Sequence, residues 1–142
     1  MLRSIATIVG ARDTILVVED QPALRGLVAE ALDAAGYRAV EAWNGTQAIS
    51  AIDEHLPPAG ELCLVLLDLR LPYVIGLDVL NYLAARGATV PVVAISADTA
   101  LLGAAVAAGA QATMSKPFDL NDILATVNRY CPLGPRVNDQ AV

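Results

Sequence analysis

Polar side chains of the kinds that phosphoryl chemistry uses follow four apolar runs of this sequence. They are Glu19 and Asp20 after residues 14–18, Asp68 after 62–67, Ser96 after 90–95, and Ser115 with Lys116 after 112–114. Three carboxylates that lie together repel one another and need a cation, and an all-oxygen cluster favours magnesium over zinc or iron. Magnesium leaves positions open for a phosphate oxygen, while an ammonium and a hydroxyl stabilise the remaining phosphoryl oxygens. The set therefore predicts magnesium-dependent phosphoryl chemistry, provided that the fold brings these residues together.

Asp68 is the predicted nucleophile of this set. It closes the most apolar run, and Leu71, Pro72 and Gly76 predict a turn after it that would expose its carboxylate. A lone Asp after a strand is more often a turn or helix cap. The functional interpretation of Asp68 therefore depends on the whole set and not on this residue alone.

The hydrophobic pattern predicts the elements that must position these residues. Apolar runs at 14–18, 62–67, 90–95 and 112–115 predict buried parallel strands, and the alternating segment 38–42 predicts a more exposed one. Helical spacing occurs at 22–35, 46–55, 77–86, 99–108 and 120–130, with Asn44 and Asp119 as predicted caps and Gly36, Gly87 and Gly109 as predicted stops. Five strands alternating with five helices predict an α/β fold, a doubly wound parallel sheet with helices on both faces. Ligands of such sheets bind beyond the carboxyl ends of the strands.

Length and composition predict one domain, over residues 13–130, with a lead segment over 1–12 and a flexible tail over 131–142. The hydrophobic fraction is 56%, but no apolar run reaches the roughly 18 residues of a membrane span. The net charge of −6 argues against nucleic acid as a partner, because such binding needs a basic face. The start of the chain has no signal-peptide pattern. We therefore expect a cytoplasmic protein that binds neither nucleic acid nor membrane. The initial Met1 favours a complete gene product over a piece of a longer protein.

The two cysteines and the one histidine carry little chemical signal. Cys63 and Cys131 form no CxxC pair and have no histidine at zinc-ligand spacing, so we expect two ordinary thiols in a reducing compartment. His55 precedes Leu56 and two prolines and is predicted to end a helix rather than to act as a base.

Four stretches together resemble the receiver domain of bacterial response regulators, over roughly residues 13–130. They are residues 15–20 (ILVVED), 67–72 (LDLRLP) with Gly76, 94–97 (AISA) and 116–118 (KPF). One such stretch alone is a weak signal, but four in this order at predicted strand ends are specific. The resemblance implies a five-stranded sheet with the flavodoxin-like strand order 2-1-3-4-5.

The resemblance also implies a role for each site residue. Asp68 would be the phosphoacceptor, and Glu19, Asp20, Asp68 and the backbone carbonyl of Arg70 would hold Mg²⁺. Ser96 and Lys116 would contact the phosphoryl oxygens. The donor would be a phosphohistidine on a sensor histidine kinase or a histidine phosphotransfer protein. The chain would then be a single-domain two-component response regulator, a phosphoacceptor that catalyses its own phosphorylation and dephosphorylation. It would signal by partner binding or onward phosphotransfer.

The sequence departs from the family pattern at several positions. Thr113 stands where most members carry the aromatic residue of the switch, and the loop 73–75 (YVI) is unusually apolar. Residues 99–115 contain no charged side chain, which makes the face over 99–130 a predicted surface for a partner or a homodimer, with simple burial of small alanines as the alternative. Arg70 and Asp98 are predicted to form an ion pair over the mouth of the pocket.

Three other functions fit the residues less well. A haloacid-dehalogenase-type phosphatase needs a second acid two positions after the nucleophile, where this chain has Arg70. A flavodoxin needs a phosphate-binding loop after the first strand, where Glu19 and Asp20 would repel phosphate. A phosphorylation-independent interaction module with the receiver fold stays as the main alternative, and the intact acid, hydroxyl and lysine set argues against it.

Overall fold

The computed structural model describes residues 13–71 and 75–133, and in these ranges five strands alternate with five helices. In chain order they are β1 (Thr14–Val18), α1 (Pro22–Ala34), β2 (Arg38–Ala42), α2 (Gly45–His55), β3 (Leu62–Asp68), α3 (Gly76–Ala85), β4 (Val92–Ser96), α4 (Thr99–Ala107), β5 (Ala112–Ser115) and α5 (Leu120–Tyr130). Every predicted element is present, with bounds within two residues of the prediction.

The strands form one parallel sheet in the order β2-β1-β3-β4-β5, which confirms the order implied by the resemblance. β3 is the central strand and all but one of its residues are buried. β2 lies at one edge and is largely exposed, as predicted. The prediction that β5 is a buried strand is wrong, because β5 lies at the other edge and exposes Thr113 and Ser115.

Alternating strand residues supply two apolar cores, one on each face of the sheet. Val18, Val65 and Leu67 pack with the face that α2, α3 and α4 cover, through residues such as Ile52 and Val79. The opposite core is formed by Ile15, Val17, Leu64, Leu66, Val93 and Ile95 together with Val28 and Leu32 of α1 and Ile123 and Val127 of α5. Because both faces are covered, the strands read as continuous apolar runs in the sequence.

Local chemistry fixes most helix ends. Asn44 Oδ1 accepts the Gln47 N–H at 2.8 Å and Asp119 Oδ1 accepts the Asp122 N–H at 3.0 Å, which confirms both predicted caps. Gly36, Gly87 and Gly109 follow their helices with positive φ, as predicted for stops. His55 is the last residue of α2, where the sequence predicted the helix to end.

The prediction of two free thiols is wrong, because Cys63 and Cys131 form a disulfide. The register between β1 and β3 shifts at this point: Thr14 pairs with Leu62 and Ile15 pairs with Leu64. Cys63 is the extra residue of this irregularity and packs with the α1/α5 core, where Cys131 is buried. The packed body therefore extends at least to residue 131, one position past the predicted domain end.

No helix in the described ranges is long and apolar enough to cross a bilayer. The predictions for residues 1–12, for Tyr73 and Val74 of the apolar loop, and for residues 134–142 of the tail lie outside the described residues. Ile75, the remaining residue of that loop, is half exposed.

Candidate phosphoryl-transfer site

Strand register brings the predicted site residues to one edge of the sheet. Val18 of β1 pairs with Leu67 of β3, so Glu19 and Asp68 each lie one position further along their strands. Asp68 pairs with Ile95 of β4, and Ser96 pairs with Ser115 of β5. Lys116 follows directly. The carboxyl ends of four adjacent strands therefore place these side chains together, as the sequence predicted. Ser115 itself is exposed.

The three predicted acids form one cluster. Carboxylate oxygens of Glu19, Asp20 and Asp68 lie within 4.8 Å of one another. Asp20 is exposed, whereas Glu19 and Asp68 are buried, with 6% and 4% of their surface exposed. The predicted exposure of the Asp68 carboxylate is therefore wrong, because neighbouring strand ends and Lys116 cover it. Access to the cluster must come from the side of Asp20.

Lys116 links two of these acids. Its Nζ donates to Glu19 Oε1 at 2.8 Å and to Asp68 Oδ2 at 2.9 Å. Burial acts to lower the pKa of Lys116, but the hydrogen bonds to Glu19 and Asp68 outweigh it and raise that pKa. Burial raises the pKa of Glu19, although Lys116 and the Gln21 N–H oppose this shift. The ammonium therefore stays charged at neutral pH, and the buried acids carry more negative charge than one lysine balances.

The remaining site residues lie on the β4 side of the acid cluster. Asp68 Oδ1 accepts the Arg70 N–H at 2.9 Å, and Ser96 Oγ accepts the Asp98 N–H at 3.0 Å, which leaves the Ser96 hydroxyl hydrogen available to a ligand. Arg70 Nη2 and Asp98 Oδ2 are 2.9 Å apart, which confirms the predicted ion pair. Both side chains are solvent-exposed, so the pair adds little stability. The contribution of the Arg70 carbonyl to a metal stays a prediction.

Gly76 is required by a close backbone approach at the end of β3. Its N–H donates to the Leu69 carbonyl at 3.2 Å. A Cβ at this position would lie 2.6 Å from Leu69 Cα and 2.9 Å from the Asp68 carbonyl oxygen. Real side chains do not tolerate such distances, so any larger residue would push α3 away from the end of β3.

The sequence analysis missed Arg25, which contacts the site from α1. Its Nη1 donates to the Glu19 carbonyl at 2.9 Å, its Nε pairs with Glu41 at 3.2 Å, and its guanidinium lies 5.3 Å from the centre of the Trp43 ring. Helical side chains point towards the N-terminus of their helix, and Arg25 lies one turn after Gln21. That spacing is the signal that could have indicated a contact with the Glu19–Asp20 turn.

The chemistry of the cluster fits a hard divalent cation. Three carboxylates carry a charge of −3 and Lys116 offsets one unit, so a net −2 is concentrated at a partly buried edge. All donors are oxygens, which matches Mg²⁺ and excludes the thiolate or imidazole sets of zinc sites. Glu19, Asp20 and Asp68 are the residues that would hold the ion.

Comparisons with known proteins agree with this geometry. The sequence profile described as "Response regulator receiver domain" matches residues 15–128. The chain is 30% identical over 123 residues to sporulation initiation phosphotransferase F of Bacillus subtilis, covering 85% of this chain and 95% of that protein. It is 36% identical over 117 residues to a probable transcriptional regulatory protein of Picosynechococcus, covering 78% of this chain but only 46% of that protein. The chain thus spans about half the length of this second relative.

Solved structures show the same fold. The receiver domain of NtrX from Brucella abortus superposes with a TM-score of 0.72 at 29% identity, covering 84% of this chain and 99% of that one. The chemotaxis protein CheY4 of Vibrio cholerae gives a TM-score of 0.75 at 22% identity, with coverage of 84% and 99%. With the acids, the hydroxyl and the lysine at the matching strand ends, the chain belongs to the response regulator receiver domain family and is a phosphoacceptor domain of two-component signalling.

Proposed function

We propose that Asp68 accepts a phosphoryl group from a phosphohistidine, with Mg²⁺ held by Glu19, Asp20, Asp68 and the backbone carbonyl of Arg70. The observation that carries this proposal is the position of Lys116, whose Nζ contacts both Glu19 and Asp68 at the central strand end. A buried carboxylate beside a permanent cation and a cluster of acids has no evident structural purpose. It is an arrangement that positions and neutralises a phosphoryl group.

In the proposed transfer, an Asp68 carboxylate oxygen attacks phosphorus, a new O–P bond forms and the P–N bond of the donor histidine breaks. The imidazole leaves with the bonding electron pair and a proton is taken up there. Lys116 moves from the Asp68 carboxylate to an oxygen of the bound phosphoryl group, and the Ser96 hydroxyl donates to another. When bound, Mg²⁺ would neutralise negative charge on the phosphoryl oxygens and on the carboxylates that hold it.

The same residues support self-catalysis in both directions. Because the groups that stabilise the transferring phosphoryl lie on the receiver itself, a small phosphodonor can replace the kinase. Hydrolysis of the resulting acyl phosphate needs only a water in line with the O–P bond. The donor protein then contributes chiefly binding and orientation of its phosphohistidine. A sensor histidine kinase or a histidine phosphotransfer protein is the proposed donor.

The output of this domain is proposed to run through a partner or onward phosphotransfer. Thr113 is exposed on the edge strand β5, so the usual aromatic side chain is absent from the path between Ser96 and the outer face. Sporulation initiation phosphotransferase F, a relative of similar length, is named as a phosphotransferase. The missing aromatic side chain and the similarity to a phosphotransferase both favour onward phosphoryl transfer, rather than an allosteric switch, as the output of this domain.

Self-association through α4, β5 and α5 is a second proposal about partners. The side chains of α4 are uncharged, and Val106 on it exposes 56% of its surface. Sedimentation velocity with and without phosphorylation tests this surface. A phosphorylation-dependent dimer that a Val106→Asp change removes supports it, and a monomer in both states contradicts it.

The main experiment incubates the chain with Mg²⁺ and acetyl phosphate and follows the intact mass. We expect one added phosphate of about 80 Da on the wild type, and none when EDTA is present. Asp68→Asn should take up no phosphate. Asp20→Asn, which keeps the phosphoacceptor and removes one proposed metal ligand, should need more magnesium for the same extent of labelling.

An unmodified wild type at every magnesium concentration would contradict the proposal and favour the phosphorylation-independent interaction module. An added phosphate on Asp68→Asn would show that a residue other than Asp68 is the phosphoacceptor. Circular dichroism of each variant shows that a lost label does not come from a lost fold.

A further inference from the structure

Arg25 connects the Glu19–Asp20 turn to the neighbouring strand β2. Its side chain is only 14% exposed although it is charged and lies in the first turns of a surface helix. Nη1 donates to the Glu19 carbonyl and Nε donates to Glu41. The guanidinium stacks over Trp43, which directly follows β2. One side chain therefore joins α1, the end of β1 and the end of β2.

The backbone of the turn depends on this connection, because the other side-chain contacts of Glu19 hold its carboxylate: Lys116 Nζ and the Gln21 N–H both donate to it. Gln21 is the N-cap of α1 but makes no side-chain capping hydrogen bond. The Glu19 N–H donates to Ala42, which is the last backbone bond between β1 and β2. Beyond that bond, the Glu19 carbonyl is held by Arg25. A free peptide at this point could rotate, and rotation would move the exposed Asp20 carboxylate relative to the Glu19 carboxylate.

The charge of Arg25 is balanced outside the acid cluster. Glu41 pairs with it at 3.2 Å, and the stack on Trp43 adds a cation–π contact. Lys116 is the cation that contacts the cluster carboxylates. Arg25 therefore acts on the cluster through the position of a backbone carbonyl and not by neutralising an acid.

We propose that Arg25 is a positioning residue of the metal site, which fixes the Glu19–Asp20 turn so that both carboxylates face Mg²⁺ in one geometry. This inference rests on the proposed magnesium-dependent function. Magnesium tolerates little deviation from octahedral geometry, so its affinity is sensitive to how firmly its ligands are held. Glu41 and Trp43 hold the guanidinium in the orientation that reaches Glu19.

The test measures the Mg²⁺ dissociation constant of the whole chain by titration of amide NMR shifts, with no phosphodonor present. Arg25→Met keeps the length of the apolar stem and removes every donor. We expect it to weaken Mg²⁺ binding about tenfold, as loss of an outer support of a metal ligand typically does. Arg25→Lys keeps one donor for the Glu19 carbonyl and should bind Mg²⁺ more tightly than Arg25→Met.

Arg86→Met is the matched control. Arg86 also pairs with an acid, Asp53, and also lies over an aromatic ring, Tyr82, but at the far end of α3. Because the Arg86–Asp53 pair is solvent-exposed and far from the acid cluster, its loss should have little effect on stability and none on Mg²⁺ affinity. Urea unfolding of each variant without magnesium shows whether weaker Mg²⁺ binding comes from loss of the fold. Arg25→Gln provides a second neutral variant if Arg25→Met does not fold.

Each outcome decides a different question. Weaker Mg²⁺ binding by folded Arg25→Met or Arg25→Gln, with wild-type binding by Arg86→Met, supports the positioning role. Wild-type affinity in the folded Arg25 variants would overturn that role and leave the proposed function intact. A wild type that binds no Mg²⁺ would overturn both.

Discussion

At the scale of single residues, burial and hydrogen bonding have opposite effects on the pKa of Glu19. Its carboxylate is buried, which raises its pKa, yet Lys116 and the Gln21 N–H donate to it and oppose this shift. An acid whose native pKa is raised binds a proton more tightly in the folded chain than in the unfolded chain. Ionised Glu19 therefore lowers the stability of the metal-free protein.

Glu19→Gln should raise the melting temperature of the metal-free chain at neutral pH. The cost of ionised Glu19 is fully present above its raised pKa and disappears as the pH falls below the ordinary value of 4.5, where the acid is protonated in both states. The stability difference should therefore shrink as the pH approaches that value. Thermal unfolding in EDTA across this pH range measures it, with the exposed Glu54→Gln as control. A variant no more stable than the wild type at neutral pH would contradict the expectation.

The sequence predicted the site residues because each follows an apolar run, and parallel strand ends must meet. It did not predict that Asp68 is buried, since that depends on Lys116, which lies 48 positions away in the chain. It did not reveal the hydrogen bond of Arg25 either, because the acceptor is a backbone carbonyl. Every residue has such a carbonyl, so the residue types in the sequence do not indicate which one accepts.

At the scale of elements, the connection from β3 to α3 determines how closely α3 approaches Asp68 at the end of β3. Gly76 begins α3 directly against Leu69, where there is no space for a Cβ. Helix α3 then buries Val79, Leu80 and Leu83 against the sheet. The glycine thus allows the helix to pack without displacing the end of β3.

Gly76→Ala should lower the free energy of unfolding by roughly 1–3 kcal/mol, because the new methyl group overlaps the backbone of Leu69. Gly103→Ala in α4 is the control: apart from its chain neighbours and the nearby backbone of its own helix, no atom lies within 4 Å of the added Cβ, and the change should stabilise the helix by roughly 0.5–1 kcal/mol. Urea unfolding measures both variants. Equal stabilisation by the two substitutions would show that the close approach at Gly76 carries no strain.

Most element boundaries could be predicted because caps, stops and apolar periodicity are local. Asn44, Asp119 and the helix-ending glycines act within a few residues of their own positions. The exposure of β5 depends on strand order, which no local pattern carries. The register irregularity that turns Cys63 towards α5 is likewise a property of the paired strands.

At the scale of the whole molecule, the disulfide joins β3 to the residue that follows α5, across a sequence separation of 68 residues. The spacing of the two cysteines carried no signal for this bond, since it reflects the folded chain. Disulfides are rare in reducing compartments. A cytoplasmic location, which stays a prediction, would therefore favour the dithiol form of this pair.

Reduction of this bond should destabilise the chain by roughly 2–4 kcal/mol, because a long closed loop restricts the unfolded ensemble. Urea unfolding with and without reductant measures the difference, and a Cys63→Ser/Cys131→Ser double variant should not respond to reductant. Free thiols detected in the oxidised, unfolded chain would contradict the presence of the bond.

The stacking of Arg25 on Trp43 gives the molecule an optical property. Trp43 is the single tryptophan of the 142 residues, and half of its surface faces solvent. Its indole contacts Arg25, whose guanidinium also donates to the Glu19 carbonyl. Ultraviolet emission of the unlabelled chain therefore originates beside the proposed metal site, and ordering of the Glu19–Asp20 turn is expected to change the surroundings of the fluorophore.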